Sequence, residues 1–152
     1  MTLIINGPDD LRSRLGTHLG YSDWLEIDQD RVNEFAEATG DHQWIHVDPA
    51  RAAKGPFGAP IAHGYLTLSL SNYFLPRIVE VRGFDAGVNY GVDKVRFPSP
   101  VKVGQRIRAG AELVSIDEVK GGLQTTIRIT IEGEGSDKPA CVIESLSRWL
   151  NG

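Results

Sequence analysis

The chain has 152 residues, 41% of them hydrophobic, which is enough for one compact core and too little for two ordinary domains. Its 16 Lys and Arg against 20 Asp and Glu leave a net charge of −4, and no basic run marks a nucleic-acid or membrane-surface footprint. Cys141 is the only cysteine, so no internal disulfide forms, and its apolar neighbours Ala140, Val142 and Ile143 read it as a small buried hydrophobe.

The opening MTLIINGPDDLRSR has only Leu3, Ile4 and Ile5 as an apolar run, far short of a signal-peptide core, and no later stretch approaches a membrane span. The expected compartment is the cytoplasm. Pro8 to Leu15 predicts a short covering helix, with Pro8 at its start, Asp9 and Asp10 in the first turn and Gly16 after its end. Asp23 to Ile27 reads as a strand or an approach to a helix. Asp28 then caps a helix over Gln29 to Thr39 that puts Val32, Phe35, Ala36 and Thr39 on one stripe and stops at Gly40. A second short helix starts at Asp48 with Pro49 in its first position, and GPFGAP after it is loop. HGYLTLSLSNYF, from His63 to Phe74, carries apolar residues on nearly every face, as a helix wrapped by sheet does, and Pro76 closes it.

The second half is strand-rich, with predicted strands over Gly87 to Phe97, Gln105 to Ile116, Gly122 to Glu132 and Ala140 to Leu150. GEGSDKP between the last two is a hairpin loop, since no helix follows its Gly-x-Gly. One buried helix followed by about four long antiparallel strands is an α+β layout, a single domain in which a curved sheet wraps a central helix. The hotdog fold has this plan.

The stretch that carries chemistry is TGDHQWIHVDPA, which leaves one helix at Gly40 and joins the next at Pro49. Asp41 and His46 are five apart, roughly 140° around an α-helix, so they converge only if the segment is a turned loop. A carboxylate beside an imidazole suits addition of water, because one group takes a proton while the other positions the water or delivers a proton. Taken alone, such a pair reads first as a turn-capping Asp and an ordinary packed His.

GDHQWIHVDPA followed by GAPIAHGYLTLSL resembles the signature of the MaoC-like (R)-specific enoyl-CoA hydratases, also called hydratase 2. Gly40, Asp41, Ile45, His46, Asp48, Pro49 and Ala52 match it. Ile61, Ala62, His63 and Gly64 resemble the start of the family's central helix, and FPSPVKVGQRI resembles its strand-turn-strand element. The resemblance runs from about Tyr21 to Leu150. Gln43 and Trp44 stand where the family has Asn and Pro, and Gln105 where it has an acidic residue. The resemblance implies a hotdog fold and syn addition of water to a trans-2-enoyl-CoA, giving an (R)-3-hydroxyacyl-CoA, with Asp41 and His46 holding the water. It needs no cofactor and no metal. The N–H of Gly64 at a helix start is then the expected donor to the thioester oxygen. Gln43, which keeps the family's amide, and Asn72, two turns from Gly64, are the further expected substrate contacts.

Other signals carry less. His42 to His46 looks like the zinc-protease HExxH, but Gln43 cannot act as a base, Pro49 ends the helix, and no third ligand follows at a usual spacing. His63 is read as capping or packing at its helix start, and His18 has no assigned role. Ser69 and Ser71 lack a nucleophile elbow. A related hotdog 3-hydroxyacyl-thioester dehydratase, a thioesterase and a non-catalytic acyl-binding module stay open as alternatives. A sheet of about five strands leaves an edge and a half-open pocket, which predicts a homodimer.

Overall fold

The computed structural model describes residues 1–152. Its strands are β1 (Leu3–Asn6), β2 (His18–Tyr21), β3 (Leu25–Glu26), β4 (Val79–Arg82), β5 (Ala86–Arg96), β6 (Arg106–Val119), β7 (Gly122–Gly133) and β8 (Cys141–Leu150). The helices are α1 (Gly7–Ser13), α2 (Gln29–Thr39), α3 (Trp44–Val47), α4 (Pro49–Ala53), α5 (Gly64–Ser69) and α6 (Ser71–Ile78). Six strands form one antiparallel sheet in the order β2-β6-β7-β8-β5, with β3 also on β6. This sheet wraps α5 and α6, the α+β hotdog arrangement expected from the sequence.

Burial on β7 alternates residue by residue, so Leu123, Thr125, Ile127, Ile129 and Ile131 face the helices. β6 contributes Ile107, Ala109, Ala111 and Leu113 to the same core. The alanines keep β6 low where α6 crosses it. Phe74 of α6, 0% exposed, fills that space, and burying such a ring is worth about 3 kcal/mol.

The central helix departs from the single segment expected to end at Pro76. Ser69 Oγ donates to the Tyr65 carbonyl at 2.6 Å, a side-chain bond of the kind that bends helices, and Leu70 separates α5 from α6. α6 then runs through Pro76 to Ile78. Proline removes one N–H from that turn, and burial of Ile78 and Val79 on the far side offsets the loss.

α2 has the predicted bounds. Asp28 accepts the Arg31 N–H at 2.9 Å, and Gly40 ends the helix at φ 82°, a left-handed conformation that glycine adopts without strain. Val32 and Ala36 are buried and Phe35 half-buried, but Thr39 points outward, its hydroxyl donating to the Phe35 carbonyl at 2.7 Å. Three short strands, β1, β2 and β4, were not legible. β1 pairs in parallel with β4, seating Ile5 and Leu11 in the core, and β2 adds to β6 through a bulge between His18 and Gly20. No helix is long and apolar enough to cross a membrane.

Candidate active site

Gly40 turns the chain out of α2 and places Asp41 at the start of a tight turn, where its Oδ1 accepts the Gln43 N–H at 3.3 Å. The Gln43 carbonyl then accepts the His46 N–H at 3.0 Å, so His46 lies in the single helical turn α3 rather than in the open loop expected. Two bonds fix that turn. Gln29 Nε2 of α2 donates to the His46 carbonyl at 2.8 Å, and the Ile61 N–H donates to the Ile45 carbonyl at 3.0 Å.

His46 is 6% exposed, and its Nδ1 lies 2.7 Å from the Ile61 carbonyl. A carbonyl only accepts, so Nδ1 carries the hydrogen and Nε2 keeps a free lone pair. Burial pushes the His46 pKa below its ordinary 6.5, and the proximity of His63 lowers it further, against the opposing pull of the Ile61 bond and of Asp41. The structure therefore holds a buried imidazole whose tautomer is set by the backbone.

His63 is the third member of this cluster. Expected to cap or pack at the start of α5, it makes no capping bond. Its ring stacks on His46 with centroids 3.9 Å apart and planes 23° from parallel. Its Nε2 lies 3.0 Å from the Asp41 carbonyl and 4.0 Å from Asp41 Oδ2. A carboxylate oxygen of Asp41 and a ring nitrogen from each histidine fall within 4.8 Å of one another, which supplies the third polar group that sequence spacing lacked. For a shared metal ion the in-plane lone pairs must converge, whereas near-parallel rings direct them side by side. The arrangement suits handling of water and protons better.

Gly64 opens α5, where first-turn N–H groups have no intrahelical partner. A Cβ at Gly64 would sit 3.2 Å from the Phe97 ring, so its missing side chain makes room for Phe97. Beside it lies a cavity of about 340 Å³ lined by Phe57, Ile61, Thr67, Phe97 and Ala140 among others. Ile61 lines this cavity and also holds His46, which joins the two features.

Residues 10–134 match the family model described as "MaoC like domain". The chain is 52% identical over 142 residues to 3-hydroxyacyl-thioester dehydratase Z of Mycobacterium tuberculosis, covering 93% of this chain and 94% of that protein. The chain belongs to the MaoC-like dehydratase family. A further relative of this MaoC-like chain is nodulation protein N of Rhizobium leguminosarum bv. viciae, 47% identical over 135 residues, with 86% and 83% of the two chains covered. The fold matches the solved (R)-hydratase of A. caviae involved in PHA biosynthesis with a TM-score of 0.73 at 25% identity, over 89% of this chain and 96% of that one.

Of the five site residues read from the sequence, the MaoC-like fold gathers Asp41, Gln43 and His46 in one turn and sets Gly64 one residue after His63. Asn72 lies elsewhere. The break at Leu70 interrupts the two-turn periodicity from Gly64, and Asn72 Oδ1 accepts from Asn89 Nδ2 at 3.3 Å. It lines a separate groove with Leu75, Val79, Val88 and Trp149. His63 was missed, and the run Ile61 to Gly64 was the signal available, since a histidine just before a helix-opening glycine had no packing partner assigned to it.

Proposed function

We propose that this protein is a 3-hydroxyacyl-thioester dehydratase that interconverts an (R)-3-hydroxyacyl thioester and the trans-2-enoyl thioester, and that it also runs in the hydration direction first expected. The observation that carries this reading is the buried His46 whose Nδ1–H is tied to Ile61, leaving Nε2 free in a cluster where a His46 ring nitrogen and an Asp41 carboxylate oxygen lie within 4.8 Å. The mycobacterial relative supports naming dehydration first.

In the hydration direction, a water held between His46 Nε2 and the Asp41 carboxylate loses a proton to the pair as its oxygen bonds C3. A proton from the pair reaches C2 on the same face, so one O–H bond and the C2=C3 π bond break while one C–O and one C–H bond form. Dehydration reverses these steps. Charge builds on the thioester oxygen, and the Gly64 N–H at the start of α5 is the proposed donor to it. Gln43, exposed two residues from Asp41, is the proposed polar contact for substrate. Asn72, engaged with Asn89, has no part in this scheme. No metal or cofactor takes part either.

The test follows enoyl-thioester absorbance in both directions with a thiol reagent present. Equilibration from either side without thiol release is expected; thiol release instead would make the protein a thioesterase, and neither change would leave an acyl-binding module. Asp41→Asn and His46→Gln should each lower kcat by about 10²- to 10⁴-fold, and the double variant should be little worse than the poorer single one. A folded Asp41→Asn protein working at the wild-type rate contradicts the assignment.

A further inference from the structure

Resting on that reading, we propose that His63 is a positioning residue for the reaction: its Nε2–H holds the Asp41 turn while its ring face holds the imidazole of His46. The ring is 3% exposed and sandwiched, with His46 stacked on it at 3.9 Å and Phe35 of α2 tilted against it at 4.9 Å. The Asp41 carbonyl can only accept, so Nε2 of His63 carries the hydrogen at that 3.0 Å contact. His63 Nδ1 is then a buried nitrogen without a partner in the protein, and a hydrogen placed there would have no acceptor. A buried polar atom left unpaired is destabilising, so a hydrocarbon ring would fill the space better if packing were all that the position required.

The bond spans 22 residues and joins the turn after α2 to the head of α5. It is the side-chain link that ties Asp41 to the helix bearing Gly64, and so sets the carboxylate in relation to the rest of the site. The two histidines are thereby fixed in opposite tautomers by two backbone carbonyls: His46 by Ile61 through Nδ1, His63 by Asp41 through Nε2. The titratable groups facing His46 are His63 and Asp41; α2 adds the uncharged Gln29, and its Phe35 packs on His63. Removing His63 removes one of the influences that disfavour a proton on His46.

Two variants separate positioning from space filling. His63→Phe keeps a stacked ring and loses the donor, whereas His63→Gln keeps an N–H donor and loses the ring. Positioning predicts that His63→Phe lowers kcat by about 10- to 100-fold, the scale of a displacement near 1 Å, with KM little changed because His63 does not touch substrate. His63→Gln should recover part of that rate, and in both variants the acid limb of the pH profile should move to higher pH. Space filling predicts the opposite order, with His63→Phe the better enzyme. ¹⁵N-imidazole spectra of the wild type supply a measurement that needs no variant to fold, and should show His63 as the Nε2–H tautomer and His46 as the Nδ1–H tautomer. A Nδ1–H tautomer for His63, or wild-type kcat and acid limb in His63→Phe, overturns the inference while leaving Asp41 and His46 as the pair. An inactive wild type overturns the proposed function itself, and that shows in the first assay.

Discussion

His46 does its proposed work through a lone pair that exists only while the ring is unprotonated, and burial favours that state by pushing its pKa below 6.5. Hydration should therefore hold up as pH falls past 6.5 and fail only lower; a kcat/KM profile with its acid midpoint above 6.5 would contradict this. The same shift affects stability. In the window below 6.5 the unfolded chain binds the proton before the folded one does, so the His46 contribution is full above 6.5 and is lost as pH falls through the folded value. Melting temperatures of wild type and His46→Gln should accordingly diverge between about pH 7 and 5, with the wild type falling faster. Cys141 makes a simpler case. It is fully buried, its thiol pKa pushed up to about 12, so iodoacetamide should leave it unmodified in the folded protein and label it after denaturation. At this scale the sequence was informative wherever a residue's chemistry and its motif agreed, as for Asp41 and His46. It read His63 only as capping or packing at a helix start, because its link to Asp41 and His46 depends on two carbonyls and a ring brought together from distant parts of the chain.

The caps of α2 separate stability from catalysis at the scale of one element. Asp28 accepts a single N–H at 2.9 Å from the first turn, and Asp28→Ala should cost about 1 kcal/mol in a denaturant melt while leaving kcat unchanged. Gly40 sits at φ 82°, and Gly40→Ala should cost about 1–2 kcal/mol. It should also lower kcat, because the strained peptide is the one leading into Asp41. Equal turnover in the two variants would show that the Asp41 turn is held by other contacts. α2 was legible because its apolar stripe, its acidic cap and its terminal glycine all agree. β7 was legible because its alternation is uninterrupted. The break between α5 and α6 was not, since it depends on the Ser69 hydroxyl choosing the Tyr65 carbonyl, and β1 and β2 are four-residue strands whose pairing comes from partners far along the chain.

For the whole molecule, the unanswered feature is β5. It pairs with β8 on one side only, and nearly all of its 11 residues are exposed, including Val88 at 45%, Tyr90 at 57% and Val92 at 48%. A long edge strand carrying apolar side chains is a template for another strand, and nothing in the chain covers it. Tyr65 and Phe97, 71% and 44% exposed, extend the apolar surface to the side of Gly64, so a partner on this face would also close over the candidate site. We propose that the partner is a second copy related by a two-fold axis, whose own β5 runs antiparallel and continues the sheet. Such an interface is self-complementary and closes after two subunits, which suits a patch that includes the strand edge itself. Light scattering should then give twice the 16.7 kDa chain mass at micromolar concentration. Placing charge on the strand in Val88→Lys with Val92→Lys should shift the mass toward 16.7 kDa and lower activity together, because the site loses its cover when the edge is freed. A double variant that became monomeric yet kept full kcat would show that each chain completes its own site, and a wild-type mass of one chain across that concentration range would remove the dimer altogether.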